Sequence, residues 1–483
     1  MKFSNVKLFA SHFFRNATRS KVFYGIGILF ILLTVYAAVS GIQNYVSQHD
    51  IHQQHQLKAR QSWEANPDKH PHRMAHFGTF AFRISSPLSL FDYGLESFTG
   101  NAVFLEAHRQ NSVNFSEASF STGTLRFGAL SMALLLQLVL PLILIFVGFS
   151  SIAADRRNGT LKILIAQNAS WLDILLGKSL GLFGIALLFV VPVLVVVAIA
   201  LLLYGGAVTE SYLWSRFLFV VMGYIGFLGI VANVVILISA SATAPKDALL
   251  RLLGIWLLMV VLLPKSTQAL GSYQYPTPTK LAFQSAIEKE VIRKGDSHNP
   301  NDPYYNDLRD SVLAVHKVSK VTDLPFNYAG FVMREGEKIS ADLYKKHYAG
   351  LLENYENQNK STRLIALINP YMAIKQLSMT FSGTDFLNYV DFQEQADTYR
   401  YALSQKMNNL QMQYISPKRE SGSEGKTHVV GHEHWEEFPD FKHEPMPFKQ
   451  VMNEAIPALV SLVLWVFLSI GLLLFTAKRA KAL

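Results

Sequence analysis

The sequence has 483 residues, half of them apolar, no cysteine and a formal net charge of +9. A soluble chain of this length would divide into about two or three domains, but the apolar residues are gathered in long runs, which places the chain among membrane proteins instead. Without cysteine there is no disulfide, no thiolate metal site and no thiol nucleophile.

Residues 1–21 open the chain. Phe3, Val6, Phe9, Phe13 and Ala17 fall on one helical stripe, and Lys2, Lys7, Arg15 and Arg19 supply basic charge. That pattern predicts an amphipathic helix in the headgroup layer, with a frayed tail as the alternative. An uncharged run of about 18 or more apolar residues crosses a bilayer as a helix, because no water satisfies its backbone there. Val22–Ile42, Phe127–Ala153, Leu180–Leu203, Phe217–Ala240 and Ala455–Thr476 carry no Lys, Arg, Asp or Glu. Ala248–Pro264 is shorter and carries Arg251 near one end, from which arginine snorkels to the headgroups. Val22–Ile42 is too long for a secretory h-region and lacks a small-residue cleavage site after it. Six spans follow, at 22–42, 127–153, 179–203, 217–240, 248–264 and 455–476.

Two insertions separate them, at 43–126 and 265–454. The early half of the first, with Pro67, Pro71 and Pro87, reads as irregular. In the second, Thr279–Arg293, Ser340–Asn357, Ser361–Phe381 and Thr384–Tyr414 repeat apolar residues at helical spacing. Pro370 should break the third of these, and Ser421–Thr427 reads as a flexible connection. Ser361–Phe381 is apolar enough to lie at the outer membrane surface or inside the domain core. Neither insertion shows a strong strand alternation, and together they are expected to form one small, mainly helical domain. The expected fold class is an all-α membrane protein, six transmembrane helices plus a mainly helical extracytoplasmic domain.

Orientation follows from Lys and Arg near the span ends. Residues 1–21, the 154–178 loop, the start of the fifth span and the tail 477–483 together hold fourteen basic and three acidic residues. Thirty basic and thirty-two acidic residues remain for the other side. The whole basic excess is therefore a positive-inside signal, which puts both termini in the cytoplasm and leaves no patch for nucleic acid.

The most informative stretch is the loop at 154–178. Asp155, Arg156 and Arg157 follow directly on a span; Gly159, Thr160 and Leu161 open a short amphipathic run; Gln167-Asn168-Ala169-Ser170 makes a turn; Gly177-Lys178 stands at the mouth of the next span. Such an elbow can press a polar surface on a cytoplasmic partner and relay movement into two spans. Gly177-Lys178-Ser179 is not the end of a phosphate-binding loop, because position 172 is leucine where that loop needs glycine.

With that arrangement the chain resembles the permeases of type-2 ABC transporters, which carry an acidic-basic cluster, Gly-Thr-Leu, an apolar run, a turn and Gly-Lys. Asp155, Arg156, Arg157, Gly159, Thr160, Leu161, Gly177 and Lys178 match that pattern, while the usual proline of the turn is replaced. Phe104–Asn111, Arg126–Ser131 and Phe438–Phe441 look like a narrower branch with large insertions after the first and fifth spans, related to multicopper-enzyme maturation permeases. The resemblance implies a multi-pass protein of the bacterial cytoplasmic (inner) membrane that is not itself an enzyme. It would pair with a second copy or a sister permease and with two ABC ATP-binding subunits, which hold the ATP and magnesium.

Histidine is the one suggestive chemical signal. Fourteen of the fifteen lie outside by this topology. His49, His52 and His55 recur every three residues, and His70/His72 and His432/His434 form His-x-His pairs. Imidazole clusters of this kind bind copper, nickel or zinc, against the alternative of a solvated polar surface. No catalytic triad or carboxylate pair is assignable. The reading is a transport permease. Its rivals are a membrane-anchored sensor or assembly scaffold, which has no reason for the elbow, and a membrane-embedded enzyme, which the uncharged spans disfavour.

Overall fold

The computed structural model describes residues 2–107, 130–205, 212–296, 299, 301–417 and 428–479. Six helices are long and apolar enough to cross a membrane: Lys21–Glu64, Met132–Arg157, Trp171–Tyr204, Leu213–Ser241, Pro245–Gln274 and Phe448–Arg479. The chain is a multi-pass, predominantly helical membrane protein, and the two insertions add a helical head. Parts of the Phe104–Asn111 and Arg126–Ser131 stretches, and all of Ser421–Thr427, lie outside the described residues.

The N-terminal amphipathic pattern forms a helix, Phe3–Thr18. It does not lie free of the bundle but packs along the start of the third span. Val6 is buried there, and Phe9, Phe13, Phe14 and Ala17 rest on the bundle core, while Phe3 points away, 75% exposed. Glycine makes the approach close enough. A Cβ on Gly177 would meet the Phe9 Cβ at 2.5 Å, and one on Gly181 would meet the Ala10 carbonyl at 2.7 Å. Small residues let helix backbones approach in this way where no hydrophobic force separates lipid from protein.

Buried polar side chains stitch the spans together. Ser179 of the third span and Ser469 of the sixth both bond Asn233 of the fourth, the second at 3.0 Å. Gln137 of the second span donates to the Tyr224 hydroxyl of the fourth at 2.7 Å, and that hydroxyl donates to Ser378 of the second insertion at 3.1 Å. Ser378 donates in turn to the carboxylate of Asp92. Gln137 lies in a π-helical turn, Leu135–Val139, and the fifth span has another at Leu258–Leu262.

In the second insertion the expected helices at Thr279–Arg293 and Thr384–Tyr414 correspond to Lys280–Lys294 and Phe386–Tyr414, capped by Thr279 and Asp385. Tyr328–Ile368 contains the expected helix Ser340–Asn357 and the start of Ser361–Phe381, and the chain breaks at Asn369 before Pro370–Ser382. The Asn369 side chain accepts from the N–H groups of Tyr371 and Met372 and donates to the Met259 carbonyl of the fifth span at 2.7 Å. Pro370–Ser382 is buried along most of its length among the spans, so this apolar segment is neither an ordinary head helix nor a surface one.

Two features differ from the sequence expectation. Residues 43–64 are not irregular; the first span continues as one helix to Glu64. The extension is polar, so it shows no apolar period, and contacts to the far end of the head hold it: Trp63 Nε1 donates to the Trp435 carbonyl at 3.0 Å and Gln56 to that of Phe441 at 2.7 Å. The head also contains a short antiparallel hairpin, β1 (Thr79–Phe82) and β2 (Ala102–Leu105), with Phe80 opposite Phe104. Four residues per strand are too few for an alternation to stand out.

Candidate functional site

The loop between the second and third spans folds as a short helix on a braced base. Helix Ala153–Arg157 ends the second span, Gly159 turns with φ of +77°, and Thr160–Ala166 forms the loop helix. Only glycine takes that backbone conformation at little cost. Asn168, at φ +68°, turns the chain again, because asparagine tolerates the left-handed region better than most residues. Ser170 then caps the third span, accepting from the Asp173 N–H at 3.1 Å while Asp173 reaches back to the Ser170 N–H. This reciprocal box satisfies two orphan donors at once.

The sequence-expected residues divide by role. Asp155 and Lys178 pair with each other, and the Lys178 ammonium also donates to the Ser151 carbonyl. Arg156 donates to the Ala242 carbonyl at 2.6 Å and lies over the Trp171 ring, so it braces the connection after the fourth span rather than facing out. Leu161 is fully buried, and Gly177 seats the N-terminal helix. Arg157 and Thr160 face outward beside Lys162 and Ile163, which is 58% exposed. The elbow therefore presents one basic and apolar outer face.

Ser239 and Asp173 complete the base. Ser239 of the fourth span accepts from the N–H groups of Ile152 and Ala153, at 3.0 and 3.2 Å. The Asp173 carboxylate accepts from the Lys2 N–H at 3.0 Å and from the Asn5 amide at 3.2 Å. The loop helix thus stands on a base tied to the N-terminal helix and to the second, third and fourth spans. A shove on its outer face has a mechanical route into each.

The histidines are placed differently. An isolated bridge between Lys69 and Val430 brings the two His-x-His segments close. His70 caps the helix Pro71–Ala75, its Nδ1 accepting from the His72 N–H at 3.2 Å. Burial, with His428 and Arg73 nearby, lowers its pKa. His432 contacts Asp68 and His434 contacts Glu437, each through Nδ1. His49 stacks on Tyr45, and His52 and His55 lie against Phe82. Among the described residues no group of three or more His, Asp or Glu side chains is arranged to hold a metal ion.

Residues 98–297 are similar to a family model described as "Protein of unknown function (DUF2705)", a stretch that includes the elbow and four of the spans. Residues 280–444 are similar to one described as "Domain of unknown function (DUF3526)", which falls on the head. Each match covers less than half of the chain. No curated protein matches it.

Asp173 and Ser239 were not singled out by sequence reasoning. Ser170-x-x-Asp173 ahead of an apolar run is a readable capping signal, but its second use, as the anchor of Lys2 and Asn5, needs the fold. Ser239 carries no local signal at all.

Proposed function

We propose that this chain is the membrane-spanning permease subunit of an ABC transporter, moving a substrate across the bacterial cytoplasmic membrane with ATP hydrolysed by separate subunits. The observation that carries the reading is the braced loop helix: Arg157, Thr160, Lys162 and Ile163 face out, while Asp155, Arg156 and Lys178 tie the loop to the spans and Leu161 is buried against them. A scaffold needs no such lever. The charge split puts this loop in the cytoplasm with both termini and puts the head outside.

The mechanism is a relay. Two ATP-binding subunits, holding ATP and magnesium, move against the loop helices of two permeases, this chain paired with a second copy or a sister permease. Each loop helix transmits the displacement through the Asp155–Lys178 pair, the Arg156 contact and the Asp173 tether. The spans and the N-terminal helix then shift together, switching access to a path between the permeases.

The test is purification of the full chain from its native membrane in mild detergent, with ATP turnover measured in the eluate. Wild type should bring along a magnesium-dependent, vanadate-sensitive ATPase. An Arg157→Glu/Ile163→Asp variant should insert and fold normally and lose it. No associated ATPase with wild type, or equal turnover in the variant, contradicts the proposal.

A further inference from the structure

The hairpin of the head has two unlike faces. Ala81, Val103 and Leu105 are fully buried against Phe392, Ala396 and Phe441. Phe80, Phe82 and Phe104 lie on the other face by strand alternation; Phe82 is buried against His52 and His55, whereas Phe80 and Phe104 are only half-buried. Phe80 and Phe104 meet at 5.0 Å between ring centres, and Phe80 and Phe82 stack at 5.9 Å. Together with the polar extension of the first span they line a cavity of about 540 Å³.

That volume lies within the range of small-molecule sites, roughly 300–1,000 Å³, which are mostly apolar with a few placed polar groups. The wall from the first-span helix supplies those groups. His52 lies against Phe82, 5.2 Å between ring centres. About ten residues beyond the apolar span, and therefore roughly 15 Å above it, its pKa is pushed down to about 4 by burial, so it presents a neutral ring. Lys58 also lines the cavity, and its ammonium makes no ion pair with any described side chain. No Asp or Glu is among the lining residues. The half-buried Phe80 and Phe104 rings thus border an open space beside a lysine that has no ion-pair partner among the described residues.

We propose that this cavity binds a small aromatic anion, its ring system stacked among Phe80, Phe82 and Phe104 and its charged group held by Lys58. An aromatic cage alone would also accept a cation through the ring faces; Lys58 is the feature that selects the opposite sign. The proposal does not rest on the ATPase-coupling reading, since the cavity belongs to the head and shares no residue with the elbow.

Naphthalene-2-sulfonate is a suitable probe. Its binding to the full chain in phosphatidylcholine nanodiscs can be measured by equilibrium dialysis, with empty nanodiscs subtracted. One saturable site per chain is expected. Lys58→Glu and Phe80→Ala should each weaken it by about tenfold or more, roughly one charge-assisted contact or one stacked ring, and Lys58→Arg should retain it. The naphthyl trimethylammonium analogue should bind at least about tenfold less tightly. Lys58 is exposed, so its variants should unfold at the wild-type temperature, which separates lost binding from lost fold. The proposal is overturned by absence of a saturable site, by unchanged binding in Lys58→Glu, or by equal binding of the cationic analogue.

Discussion

Gly159 and Asn168 are the two left-handed turns that set the loop helix off from the spans. Nothing lies within 4 Å of a Cβ built on Gly159, so a Gly159→Val change meets backbone strain but no clash. The strain is worth about 1–2 kcal/mol and falls on the loop alone. Membrane insertion and thermal unfolding should stay near wild type while associated ATP turnover falls. Asp173→Ala removes the back-reaching half of the capping box and the Lys2 and Asn5 contacts, while Ser170 still caps the helix through the backbone N–H of residue 173. Amide exchange in residues 3–18 should rise in that variant, and unchanged protection there would show that the tether carries nothing. In the head, His443 Nδ1 accepts from the Ile84 N–H at 3.2 Å, and burial with nearby Arg83 lowers its pKa to about 4. The unfolded imidazole, near 6.5, binds a proton that the folded one refuses, so stability falls as pH drops from about 6.5 to 4. The full penalty is about 3 kcal/mol. His443→Gln keeps an acceptor for Ile84 and should flatten that part of the pH–stability curve; an equal slope in both proteins would rule the histidine out. At this scale Asp155, Arg156, Arg157 and Lys178 were legible as a cluster, but their separation into brace and outer face was not, because sequence does not say which side chains turn inward.

Most elements were readable because apolar period and caps agree. The spans announced themselves by length, Thr279 and Pro370 marked helix ends where helices end, and the helix expected from Thr384 begins just after the Asp385 cap. Pro303–His316 was passed over, although Asp302 followed by Pro303 is a cap and first-turn pair. The polar extension to Glu64 and the hairpin were unreadable for a different reason: tertiary contacts, not local pattern, hold them. The packing of Phe3–Thr18 on the third span could not be read either, since an amphipathic stripe suits a lipid surface and a helical groove equally. This contact makes a prediction of its own. Gly181→Leu drives a side chain into the Ala10 carbonyl and the Phe13 ring, and overpacking of this kind costs about 1–3 kcal/mol. The N-terminal helix should detach, seen as faster exchange and new protease cleavage within residues 3–18, with the spans still inserted. Protection equal to wild type would mean that the helix is held elsewhere.

For the whole molecule, charge and span order gave the architecture of six membrane helices and a helical head, while the site depends on which side the elbow occupies. The chain has no cysteine, so single-cysteine variants report topology cleanly. Ala286 in the head and Ala166 in the elbow are both exposed. An impermeant maleimide should label Ala286→Cys in intact cells and Ala166→Cys only after permeabilisation; the reverse pattern ends the proposed orientation. The central claim, that an ATP-binding subunit sits on the outer face of the loop helix, is tested most directly at Ile163. With a photo-crosslinking amino acid at position 163, irradiation of living cells should join the chain to a protein that azido-ATP also labels. The same amino acid at the buried position 161 should give no such adduct. Adducts at 163 only with proteins that bind no nucleotide would contradict the account.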